Sequence, residues 1–129
     1  MALPASLHAT WFGFGARARL GALEEESDPA RRGDLAAEAL QWTAEALAIL
    51  PENAESLWLF DHDVFGKARH ECLFARAVSM EFHTPPDVAG ALACLDMIAG
   101  EVAEFTPAGH YWILKCRTMT ARLRERLSR

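Results

Sequence analysis

A chain of 129 residues, of which 51% are hydrophobic and 24% charged, has enough apolar material for a packed core, which excludes a disordered segment or a disulfide-held miniprotein. No apolar run approaches the roughly 18 residues of a membrane helix. The formal net charge of −5 argues against nucleic acid as a partner, because an acidic surface repels phosphate.

Three cysteines, Cys72, Cys94 and Cys116, are an odd number without paired spacing, so free thiols in a reducing, cytoplasmic compartment are expected. The N-terminal stretch MALPASLHATWFGFGARARL lacks the early positive charge and unbroken apolar core of a secretory signal. Charge is unevenly placed. Residues 1–114 hold 7 Lys and Arg against 17 Asp and Glu, whereas residues 115–129 hold 6 against 1.

In chain order, Leu7, Trp11, Phe14 and Ala18 recur at helical spacing and predict a first helix over 6–23, weakened by Gly13 and Gly15. Those glycines would admit another backbone closely. The acidic, then proline-broken stretch at 24–33 reads as a connection, with Asp28 or Asp34 available as the next cap. Residues 34–50 are rich in Ala, Leu and Glu and predict a second helix. Its core face is Leu35, Ala39, Trp42, Ala46, Ile49 and Leu50, and Pro51 stops it.

The stretch Ser56 to Met80 is apolar nearly all round, so it predicts a long central helix, ending near Phe82, with neighbours on more than one side. The run Thr84-Pro85-Pro86-Asp87 reads as a threonine cap followed by proline at the first helical position. The helix it opens carries Val88, Ala91, Leu92, Leu95, Ile98, Ala99 and Val102 on its core face. Thr106-Pro107 repeats the start signal, and Trp112, Cys116, Met119, Leu123 and Leu127 follow at helical spacing. The expected fold is all-α: one domain, a compact bundle of four to five mostly antiparallel helices around a long central one near 56–82.

Ala39, Ala46 and Pro51, followed by Asn53-Ala54-Glu55, fall at the consensus spacing of a tetratricopeptide-type helical hairpin, and Pro85 stands 34 residues after Pro51, that family's period. The stretch 39–64 resembles such a hairpin, which implies a divergent helical-hairpin repeat. Asp61 stands where the family has Gly, and a further repeat would place Pro107 inside a helix.

His62, His70, Glu71 and Cys72 are candidate ligands for a metal, small-molecule or redox site, yet HxxxH, ExxH and CxxC are all absent. His62 and His70 lie about 80° apart on a helix, and His70, Glu71 and Cys72 point in different directions. Asp61 and Glu71 fall on or beside the apolar face and require partners if buried. Arg76 and His83 are similar, in the loosest form, to the Arg/His pair of α-helical HEPN-type RNases, although Ala77 replaces the polar residue that usually follows the Arg.

Lys115, Arg122 and Arg126 form one basic stripe on the last helix and Arg117 and Arg124 another, flanking its apolar face. Together with Trp11 and Phe12 they are the expected contact surface of a non-enzymatic interaction module: an adaptor, small assembly subunit or inhibitor. It is expected to need no cofactor. The expected partner is another protein with an acidic surface. Docking within the chain or a homo-oligomer, and contact of the last helix with an anionic membrane, are the alternative uses of the same residues.

Overall fold

The computed structural model describes the backbone at 5–50, 61–102 and 107–128, and side chains at 11–50, 68–102 and 109–128. The described residues form five helices and no strand: α1 (Ala5–Glu25), α2 (Pro29–Ile49), α3 (Asp61–Phe82), α4 (Val88–Glu101) and α5 (Pro107–Leu127). The chain is an all-α helical bundle.

Local chemistry places most boundaries. Asp28 caps α2, its carboxylate accepting from the Ala30 amide at 3.3 Å, with Pro29 at the first helical position. The same helix ends at Leu50, whose ψ of 138° is the extended conformation imposed on a residue before proline. Pro107 is the first residue of α5, as its Thr-Pro signal predicts; Thr106 and the 51–54 turn lie outside the described residues.

One cap differs from expectation. Thr84 does not open α4. The Asp87 carboxylate accepts from the Gly90 amide at 2.9 Å, while the Asp87 amide bonds back to the Met80 carbonyl at 2.9 Å. The chain leaving α3 is thus folded against its last turn, and the first orphan amides of α4 fall within reach of Asp87 rather than Thr84. The Thr84–Pro85 bond is cis.

Helix α3 packs against α1, α2 and α4, which accounts for its lack of a polar face. From Ala68 to Ser79 every residue except Arg69 and Arg76 is buried. Residue pairs give the directions. Gly13 lies beside Ala68 and Arg17 beside Glu71, so α1 and α3 run parallel. Arg32 meets Phe82 while Arg76 meets Leu40, so α2 is antiparallel to α3. Arg69, early in α3, pairs with Glu101 at the end of α4, again antiparallel. On α5, Trp112 packs at a tilt against Phe74 and Arg122 reaches Glu81, so α5 is parallel to α3. Three helices, α1, α3 and α5, therefore point one way, and α2 and α4 return between them.

The buried face of α1 is not the one its large aromatics mark: Trp11, expected at a contact surface, and Phe14 are 71% and 66% exposed, whereas Ala16, Leu20 and Leu23 on the opposite face are buried. Small residues decide this. An ideal Cβ on Gly15 would overlap the Trp42 indole, so that ring fills the space a larger residue would take. The side chain of Leu7 lies outside the described residues. Ile49 of α2, Ala99 of α4 and Leu127 of α5 also stand exposed although their periodicity assigned them to core faces.

Candidate interaction groove

The buried carboxylates are satisfied by other helices. Glu71, 5% exposed, accepts from Arg17 Nε on α1 at 2.7 Å. Glu81, 3% exposed and not singled out by the sequence pattern, accepts from Arg122 at 2.5 Å and Arg126 at 3.2 Å on α5. Its signal was three-dimensional: a lone acid at the end of an apolar helix acquires meaning only when a basic helix is laid across it.

The candidate ligand residues separate. Cys72 is buried, its thiol 3.8 Å from the Phe12 carbonyl, and burial first, then the neighbouring Glu71, raises its pKa to about 12. His70 stacks edge-on against Trp112 and lies 3.4 Å from Glu101, which also takes two hydrogen bonds from Arg69. Among the described residues no three His, Cys, Asp or Glu side chains gather as a metal site. The side chains of His62 and Asp61 lie outside the described residues.

Arg76 and His83 are also engaged apart. Arg76 donates to the Leu40 carbonyl at 2.9 Å and approaches Thr43 at 3.5 Å, whereas His83 Nδ1 is 3.2 Å from the Pro85 carbonyl.

The two basic stripes of α5 face opposite flanks. Arg117 and Arg124 line a cleft against α4, with Asp96 on its wall. Lys115 and Arg122 line a groove of about 500 Å³ between α5 and α3, closed at one end by Glu24 of α1 and Arg32 of α2. Its apolar lining is Phe74, Val78 and Phe82 from α3 and Leu114 and Met119 from α5, with Tyr111 at the rim. Leu114 and Tyr111 are 60% and 50% exposed. Helix α5 is not in close backbone packing with α3 along this side; long side chains bridge them, and the space between is the groove.

Cations in this groove are held over aromatic faces. Lys115 Nζ sits 4.4 Å from the Phe74 ring centroid and 5.3 Å from those of Tyr111 and Trp112. The Arg32 guanidinium sits 4.5 Å from that of Phe82. Attraction to the ring quadrupole fixes each cation without neutralising it.

Of the remaining expected contact residues, Trp11 is exposed. Phe12 turns inward, edge-on to Trp42 at 5.8 Å between centroids.

No protein-family model matches the chain, and comparison with curated proteins and with solved structures likewise returned no match.

Proposed function

We propose that this protein is a non-enzymatic helical interaction module that binds another protein through the groove between α3 and α5. One observation carries this reading: an apolar, aromatic-floored groove with two exposed hydrophobic residues, Tyr111 and Leu114, on its rim. Exposed apolar surface gathered in a concavity and rimmed by polar groups is the usual character of a recognition surface.

The helix directions support a helical-hairpin organisation. Parallel α1, α3 and α5, with α2 and α4 returning, are what successive stacked hairpins produce, and a groove beside the parallel set is the kind of surface such stacks present. Three free, buried thiols support a reducing, cytoplasmic setting. Among the described residues no helix is long and apolar enough to cross a membrane.

The test is Tyr111→Ser combined with Leu114→Ser. Both positions are at least half exposed, so the helical circular dichroism should persist, while proteins captured by the native chain from its own source, or its own self-association, should be lost. Unchanged partners and an unchanged oligomeric state would remove the groove from the account. Arg122 is a poor probe of the surface, because its replacement also strands Glu81.

A further inference from the structure

Building on that reading, we infer that the groove's occupant is an acidic amphipathic helix of another protein, held by Lys115 and Arg32. The two cations are the unusual feature. The chain is acidic, with a net charge of −5, yet among the described residues neither of these cations forms an ion pair, and each is held over a ring on the groove wall. The Nε of Arg32 is buried without a hydrogen-bond acceptor, as is that of Arg19, which is held over Trp42 outside the groove.

The contrast with neighbouring cations is specific. Arg17 and Arg69 pair with Glu71 and Glu101, and Arg122 and Arg126 share Glu81. Among the described residues lining the α3–α5 groove, Lys115 and Arg32 are the cations without an ion pair; Glu24 lines the same end as Arg32 without bridging to it, so carboxylates from outside are the natural counterions of Lys115 first and Arg32 second.

The walls select a helix rather than an extended strand. Both are helices with their backbone groups already bonded, and the apolar lining of Phe74, Val78, Phe82, Leu114 and Met119 offers an extended peptide no ladder partners. The Thr118 hydroxyl is itself bonded to the Leu114 carbonyl at 3.0 Å. A helix brings its own hydrogen bonds. From Tyr111 to Arg122 the α5 wall runs roughly 16 Å, about three turns, which accommodates apolar residues at i, i+3 or i+4, and i+7. Acidic residues beside that stripe would reach Lys115 along the wall and Arg32 at the closed end.

The experiment is selection of displayed helix-forming peptides of about 16 residues against the full chain, followed by fluorescence anisotropy with the resynthesised, labelled peptides. Enriched sequences should carry Asp or Glu flanking an apolar stripe. Lys115→Glu should weaken them roughly tenfold, a change expected when a close charge pair becomes repulsive. Arg32→Gln, which keeps its stem against Phe82, should weaken them several-fold. Arg124→Glu on the other flank of α5 should leave them unchanged. Enriched peptides without acidic residues, or acidic peptides indifferent to Lys115 and Arg32, would overturn the inference while leaving protein binding in place. No enrichment, with partners nonetheless lost in the Tyr111→Ser, Leu114→Ser protein, would overturn the helical occupant alone. Sedimentation with anionic phosphatidylserine vesicles that depends on Lys115, in place of peptide binding, would overturn both readings.

Discussion

Gly13 and Gly15 stand two residues apart in α1 and meet different neighbours. A Cβ on Gly13 would lie 3.7 Å from the Ala68 backbone, ordinary contact, whereas one on Gly15 would enter the Trp42 indole. That indole is not free to swing, since Phe12 packs edge-on to it and the Arg19 guanidinium sits 4.0 Å from its centroid. Gly13→Ala is therefore expected to stabilise the protein by up to about 1 kcal/mol through helix propensity. Gly15→Ala should destabilise it by about 1–3 kcal/mol through overpacking. Thermal unfolding of the two variants checks the opposite signs. The thiols make a second residue-level prediction. Cys72 in the folded protein keeps its proton to about pH 12 because burial disfavours the thiolate, whereas the exposed thiol of the unfolded chain ionises near 9.0. Between those values the unfolded state binds fewer protons, so stability falls as pH rises. The loss attributable to Cys72 is about 1 kcal/mol by pH 10. Urea unfolding at pH 8 and pH 10 should show this fall, and Cys72→Ala should reduce it.

Helix boundaries follow chemistry that is local, and α4 shows where locality ends. Thr84, Pro85 and Asp87 all suit a helix start when read along the chain. The selection among them comes from the Asp87 amide bonding to the Met80 carbonyl, a contact between the connection and the end of α3. Asp87→Ala is expected to cost about 1 kcal/mol by removing the cap on Gly90, while Thr84→Ala, at an exposed position, should stay within about 0.5 kcal/mol. Denaturant midpoints of the two variants distinguish the caps. The buried face of α1 is decided for a related reason. The spacing of Leu7, Trp11, Phe14 and Ala18 is helical, but in that segment the opposite face, with Gly13, Ala16 and Leu20, is equally periodic. A helix that lies close on its neighbours places its small residues inward, and the side of closest approach is a property of the neighbours.

At the scale of the whole molecule, the basic end of the chain divides its work. Arg122 and Arg126 neutralise Glu81, which lies inside the bundle, and so tie α5 to α3. Replacing both with Ala strands a buried carboxylate and is expected to cost about 2–3 kcal/mol. Adding Glu81→Gln should recover part of that loss, and chemical denaturation of the double and triple variants measures it. Lys115 and Arg124 are left facing the two flanks of α5, the first over aromatic rings and the second beside a cleft containing Asp96. The sequence by itself determined the all-α class, the stops of α2 and α3 and the enclosure of α3, whereas α2 begins at Pro29 rather than at 34 and shortens the expected 24–33 connection to 26–28. The class, the stops and the enclosure follow from 3.6-residue periodicity, helix-stop residues and side-chain direction, all short-range properties of the chain. Only the tertiary structure decided which face of α1 is buried, that Glu71 and Glu81 take their cations from α1 and α5, and that the two stripes of the last helix serve different grooves. Each of these depends on which helices lie side by side, and a charge pair between residues 41 positions apart, such as Arg122 and Glu81, leaves no periodic trace in the sequence.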